Sequence, residues 1–177
     1  MSRLTFLNRI NIKGRKLAEL IDGNEYRKVL GRYPTGVTLV TSSSPEGPQA
    51  MVIGSFVSVS MEPPLVGFLP GKESNTWQKM KSEKKFCVNV LSDQQEDVAN
   101  EFFSKENDPW EVISWYESAE GLPAIEGSLA SIDCSVFNVV EAGDHWFVIG
   151  EVLGAEIMET GSPLLFLGGS YGQYRGN

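Results

Sequence analysis

"GSFVSVSMEPPL", Gly54 to Leu65, decides how the rest of the chain is read. Valines and serines alternate from Val57 to Ser60, and a double proline, Pro63-Pro64, follows. Alternation with period two marks a strand, because successive side chains leave opposite faces. "AMVI" just upstream extends the strand pattern, and Gly54 marks a bulge or a place of close backbone approach. The prolines cannot join a sheet ladder freely, so they end the strip and hold it still. Nothing in the stretch is an acid, a base, a metal ligand or an obvious nucleophile. Ser55, Ser58 and Ser60, with the amides near Gly54, instead form a strip of hydrogen-bond donors. Such a strip suits the edge of a flat heterocycle or a polyol.

Strand language recurs on both sides. "GVTLVTSS" (36–43) alternates Val37, Leu39 and Thr41 against Thr38, Val40 and Ser42, and "SPEGPQ" (44–49) reads as a turn. "PPLVGFLP" (63–70) and "KFCVNVLS" (85–92) are short apolar strands. Two long strands close the chain, "LASIDCSVFNVVEAG" (129–143) and "HWFVIGEVLGAEIME" (145–159). The second is apolar on both faces, as in a strand enclosed in a barrel. Three short helices are predicted. One lies within residues 22–36, capped by Asp22 or Asn24, with Tyr26, Val29 and Leu30 on one face and Pro34 and Gly36 as its stop. The second starts at Ser74, and the third lies within 93–104 with Val98 and Phe102 inward. Residues 104–127 read mostly as loop. Six or seven strands joined mainly by turns exclude a doubly wound parallel sheet. The expected fold is mainly β: an antiparallel six- to seven-stranded barrel with peripheral short helices.

The totals narrow the function. With 177 residues the chain suits one domain, and its net charge of −8 argues against nucleic acid. Arg3, Arg9, Lys13, Arg15 and Lys16 precede the first acid, so residues 1–24 read as a basic arm and 25–177 as the domain. The N-terminus has no apolar h-region, and no run nears the roughly 18 apolar residues of a membrane span. The expectation is a soluble, cytoplasmic protein with no membrane partner. Cys87 and Cys134, each among apolar neighbours at strand spacing, are expected to be buried reduced thiols.

Catalytic groups are sparse. His145 is the one histidine, and no CxxC, HExxH or P-loop pattern occurs, so no metal site is expected. A Ser-His-Asp arrangement with Asp144 is geometrically poor, because adjacent residues on a strand or tight turn point apart. Chemistry borrowed from a cofactor fits better. "KESNTW" (72–77) follows the strip by a few residues. Lys72 supplies charge there, Ser74 and Thr76 supply hydroxyls, and helix-start amides complete a phosphate seat. Strip and seat together suit a phosphorylated planar ligand.

These pieces carry a resemblance. "YRKVLGRYPTGVTLVT", "GSFVSVSMEPPL", "SNTW", "FCVNVLSDQQEDVANEF", "GLPAIEGSLASIDCSV", "GDHWFVIGEV" and "PLLFLGGSYG" occur in an order that resembles the flavin reductase family. Its members are FMN-binding split barrels and serve as reductase components of two-component monooxygenases. The match spans roughly residues 25–175. It implies a homodimer that uses NADH or NADPH to reduce FMN, with FAD the alternative, and feeds a separate monooxygenase. It places Gly54, Ser55 and Phe56 along the isoalloxazine and ribityl chain, with Ser58 in the same strip, and Ser74, Asn75 and Thr76 at the phosphate. It puts Gly143, Asp144 and His145 on the nicotinamide side, His145 covering or orienting that ring and Asp144 positioning His145. Tyr171 is a further candidate against the nicotinamide, and core or interface packing is its alternative.

The chain departs from the family at Val52, Gly54 and Val57, where many members carry polar or larger side chains. Flavin contacts then rest on backbone amides and Ser55. Each lost neutral hydrogen bond weakens binding by about 0.5–1.5 kcal/mol, which suits a flavin that exchanges. A flavin-binding electron-transfer or sensor module without turnover is the rival reading, and a cofactor-free interaction barrel is the third.

Overall fold

The computed structural model describes residues 22–104 and 108–176. Apart from its last three residues, the basic arm (1–24) lies outside them. Helix α1 (Gly23–Leu30) begins at the Asp22 cap, whose carboxylate accepts the amides of Asn24 and Glu25 at 3.0 and 3.2 Å. Strands β1 (Thr35–Gly36), β2 (Thr38–Ser44), β3 (Gly47–Ile53), β4 (Val57–Met61) and β5 (Pro64–Phe68) follow. Then come α2 (Asn75–Met80), β6 (Lys85–Val90), α3 (Glu96–Glu101), α4 (Pro109–Val112), β7 (Trp115–Glu117) and β8 (Pro123–Ile125). The chain closes with β9 (Ala130–Ala142), β10 (His145–Ile157), β11 (Leu164–Leu167) and β12 (Ser170–Gln173).

Seven strands form one antiparallel sheet in the order β3-β2-β6-β9-β10-β5-β4. This order forces a barrel. β3 and β4 lie at opposite edges yet are joined only by Gly54, Ser55 and Phe56. Laid flat, six strand spacings would separate those edges by roughly 29 Å. The connecting chain reaches at most roughly 14 Å. The sheet therefore rolls until its edges approach. β3 and β4 share no ladder, so the barrel stays split along that seam.

Two apolar clusters fill the molecule. One gathers Val40, Phe68, Trp77, Met80, Phe86, Val88 and Val148. Phe68 packs edge-on against Trp77 and Phe86 at 6.2 and 5.2 Å between ring centres. The other gathers Leu39, Leu91, Ala99, Ile125 and Leu164, with Val98, Phe102, Trp110 and Trp115 against it. Burying a side chain such as Phe68 stabilises by about 1.5–3 kcal/mol. Trp77 belongs to this core.

The structure refines the sequence reading in four places. Among the loops of the 108–127 stretch stand α4 and the β7–β8 pair. Buried Asn89 anchors that pair, accepting the Ile125 amide at 2.8 Å and donating to Leu39 O at 3.1 Å. Helix α1 ends at Leu30 with Gly31 as its cap, and Thr35–Gly36 is already strand, paired with β11. Of the two readings of Gly54, close backbone approach is the one that holds, and the bulge lies between Ser58 and Ser60. Finally, β10 is enclosed only over Val148–Glu151, where β5 pairs with it. Its far half is exposed, because β5 has ended there.

Candidate functional site

The seam corner brings the separate sequence signals together. Gly54 leaves β3 against β1: a Cβ built on it would lie 2.9 Å from Thr35 Oγ1. The absent side chain is what permits this approach. Ser55 is half-buried, and its hydroxyl oxygen accepts the Leu69 amide at 3.0 Å. Its own O–H is thereby left to donate. Phe56 packs against the first core cluster, so its ring is a wall of the core while its backbone stays in the strip. Ser58 is exposed on edge strand β4.

Leu69 opens the segment that joins everything else. Beyond β5, Trp146 N donates to Pro70 O at 3.0 Å, Gly71 bridges to His145, and Lys72 N donates to Asp144 O at 3.0 Å. Ser74 follows at once as the cap of α2, its hydroxyl accepting the Trp77 amide at 3.2 Å. Asn75 and Thr76 stand in the first turn of α2, where backbone amides lack intrahelical partners. Residues 69–76 thus touch Ser55 at one end, carry the helix start at the other, and hold the Gly143–His145 turn alongside.

That turn has its own order. Gly143 sits at φ +65°, a conformation that favours glycine. The tight reversal lets neighbours meet: His145 Nδ1 lies 2.7 Å from Asp144 Oδ1. The expectation that neighbours on a strand or tight turn point apart fails here: Asp144 lies in the two-residue turn and its carboxylate reaches the ring of His145, the first residue of β10. The hydrogen bond to His145 holds the Asp144 carboxyl below its ordinary range. A carboxylate facing Nδ1 favours the tautomer with its proton there. Nε2 then remains toward Gly71, 3.9 Å from where a Cβ on Gly71 would lie. The His145 side chain is 45% exposed and that of Asp144 94%, so the groove is open in the single chain.

Two expected contributors are placed differently. Lys72 is ion-paired with Glu141, and its ammonium lies 5.1 Å from the Trp146 ring centre, so it braces the turn instead of standing free at the helix start. Tyr171 sits in the β11–β12 hairpin, edge-on to Phe166 at 5.5 Å, and packs against the second core cluster. Both cysteines are free and buried. Burial pushes the Cys134 thiol up to about 12, and burial together with Asp133 raises Cys87 further. Neither is a nucleophile at neutral pH.

A family model described as flavin reductase like domain matches residues 30–175. The chain belongs to the flavin reductase family. A protein named flavin reductase from Pseudomonas putida is 48% identical over 155 residues, 87% of this chain and 91% of the relative. The nitrilotriacetate monooxygenase component B homologue of Mycobacterium thermoresistibile superposes with a TM-score of 0.84 at 40% identity, covering 88% of each chain. The NADH:FAD oxidoreductase of Streptomyces globisporus, solved with NAD and FAD fragments, superposes with a TM-score of 0.81 at 35% identity. That match covers 89% of this chain and 98% of the other.

In this flavin reductase the seam corner fits a flavin on its own chemistry. It offers a backbone cleared of side chain at Gly54, an oriented hydroxyl at Ser55 and a helix start at Ser74. A cavity of about 610 Å³ lies elsewhere, walled by Asp93, Asp97, Glu101, Glu126 and Glu159. Its acidic wall opposes a phosphorylated ligand, and it shares none of the seam residues. Sequence reasoning missed the clasp of residues 69–72 on the 143–145 turn, because those bridges join segments about seventy residues apart. Thr35 belongs to "PTG" (34–36), which the sequence offers equally as a helix stop and as a contact to the flavin. Among the described residues no helix is long and apolar enough to cross a membrane.

Proposed function

We propose that this chain is an NAD(P)H-dependent reductase of FMN, with FAD the alternative, that supplies reduced flavin to a separate monooxygenase. The observation that carries this reading is the convergence of Ser55, the Ser74 helix start and the His145 turn on the single segment 69–76. The names of similar proteins support it: a flavin reductase, a monooxygenase component B homologue and an NADH:FAD oxidoreductase.

A flavin held at the seam would supply at N5 the acceptor for the C4 hydride of the dihydronicotinamide, with one proton drawn from solvent. The residues position; they do not themselves react. Gly54 keeps the strip's backbone accessible to a flat ring, and Ser55 donates to its edge. Ser74, Asn75 and Thr76 present amides and hydroxyls to the phosphate. His145, oriented by Asp144, presents an accepting Nε2 and a ring face to the nicotinamide carboxamide. Catalysis rests on proximity and orientation, which require no acid–base residue. Few side chains grip the flavin, which suits release to a partner.

A second copy of the chain is the expected partner of one apolar surface. Val57, Val59 and Met61 expose an apolar edge on β4, and Phe137 and Leu153 are 56% and 45% exposed on β9 and β10. Exposed apolar side chains of this kind on strands of one sheet mark an interaction surface. Sedimentation of the purified protein should give a dimer. Two reduced thiols support a cytoplasmic location.

The test of function is NADH consumption with and without FMN. Consumption only when flavin is added is the expected result. Equal rates without flavin would end the enzyme reading. Flavin binding without NADH consumption would leave the carrier or sensor reading instead.

A further inference from the structure

A pocket outside the flavin seam lies between β7 and the far half of the β9–β10 ladder. It encloses about 380 Å³, and its walls include Tyr116, Glu117, Ser131, Asp133, Gly154 and Glu156. It shares no residue with the seam corner. Strand register makes the space. Asp133 on β9 stands opposite Cys87 on β6 and opposite Gly154 on β10. The position beside Asp133 on β10 therefore has no side chain, and a Cβ built on Gly154 would meet nothing within 4 Å. The ladder also shifts register between Val152 and Gly154, next to this gap.

Asp133 is the buried acid of the wall, only 7% exposed. Its Oδ1 has no hydrogen-bond partner, and no ion pair among the described residues includes it. The Cys87 thiol beside it is a weak donor, raised by burial first and by Asp133 next. Lys85, two positions along β6, is paired with Glu120 at 2.6 Å instead. A carboxylate taken out of water without a full partner is among the costliest groups a fold can bury. Nearly all such atoms in native proteins are satisfied, so an unpartnered one asks for a cause. Glu117 and Glu156 are exposed at the rim, and no lysine or arginine lines the pocket. Tyr116 is held by its hydroxyl, which donates to the Met158 sulfur at 3.7 Å. Burial raises that phenol, and Glu156 and Asp133 add to the effect, as carboxylates close to the ring do.

Such walls call for a ligand that carries donors and positive charge. A metal ion does not fit, since among the described residues no three His, Cys, Asp or Glu side chains are grouped to hold one. An organic cation brings its own N–H groups, and the face of an aromatic ring favours it further. A guanidinium meets a carboxylate with two parallel donors. The volume lies within the range of small-molecule sites. We propose that this pocket binds an organic cation, a guanidinium seated on Asp133 with Tyr116 beside it and Glu117 and Glu156 at the rim. A small free amine and an arginine of a protein chain present the same group, and the test separates them.

Agmatine, a guanidinium with an ammonium at its other end, is the small-molecule probe. A blocked arginine-containing tripeptide is the protein-like probe. Calorimetric titration of the full chain should give saturable binding of at least one of them, with a Kd of about 1 mM or below. Asp133→Asn, the same shape without the charge, should weaken it by about tenfold or more. Glu156→Gln, at the exposed rim, should weaken it by about two- to threefold, and keeps the comparison should the buried variant fold poorly. Tighter binding of agmatine supports the proposal and assigns the pocket to a free amine. Tighter binding of the peptide supports it equally and assigns the pocket to a protein chain. Absence of saturable binding by both probes overturns the proposal. So does an affinity unchanged in the variants, or equal displacement of the probe by potassium chloride at the same concentration. Neither probe reads flavin or NADH, so failure of the reductase reading leaves this test standing.

Discussion

Replacing Ser55 by alanine separates brace from ligand contact. The Ser55 hydroxyl accepts the Leu69 amide at 3.0 Å, and both residues are partly buried. Alanine leaves that amide without its acceptor, at a cost of about 1 kcal/mol for a partly buried group. For a chain of this length the midpoint of thermal unfolding should fall by about 2–4 °C. The hydroxyl's own proton is the one assigned to the flavin edge. Its loss should weaken FMN binding by a further 0.5–1.5 kcal/mol or so, which is about two- to tenfold in Kd. Calorimetric or fluorescence titration with FMN, beside a thermal melt, reads both effects. A lowered melting point with an unchanged Kd would refute the reasoning: Ser55 would then only brace Leu69.

Four other expectations follow from the structure. His145→Ala should lower kcat/KM for NADH by about 10- to 100-fold through lost orientation and leave the FMN Kd unmoved. Asp144 is held below its ordinary value of 3.8 chiefly by the hydrogen bond to His145. A depressed folded pKa contributes above the unfolded value and is lost as pH falls through the folded one. Titration of the Asp144 carboxyl followed by NMR should therefore give a midpoint below 3.8, and a midpoint at or above 3.8 contradicts the pairing. Asn89→Ala strips the Ile125 amide and the Leu39 carbonyl of a fully buried partner. It should cost about 3 kcal/mol and lower the melting midpoint by roughly 6–12 °C; a shift under 2 °C or so would show that the β7–β8 pair is not held there. Thiol labelling should be negligible in the native protein and reach two groups per chain on denaturation, since both cysteines are buried with raised pKa values; rapid native labelling would contradict that burial.

What was legible in the sequence was local. Asp22 and Ser74 cap helices through bonds two or three residues away, and the alternation of β2 and β6 announces which faces are buried. β7, β8, β11 and β12 were not legible as strands. They run three or four residues, too short for a period, and exist only because distant partners pair with them. Pro123 begins a strand where "GLPA" suggests a loop, because a first position needs no ladder donor. The donor strip was readable in part. Its serines were visible, but not that the Ser55 oxygen is already taken by Leu69. The Asp144–His145 bond escaped the rule that neighbours on a strand or tight turn point apart, a rule this turn does not obey.

The central claim is that the split-barrel seam cradles the flavin, with the His145 turn beside it. A crystal structure of the protein with FMN tests this most directly. The account predicts the ring along Gly54, Ser55 and Phe56, the phosphate at Ser74 to Thr76, and open space next to His145. FMN bound elsewhere, with the seam closed by the protein's own side chains, would contradict it.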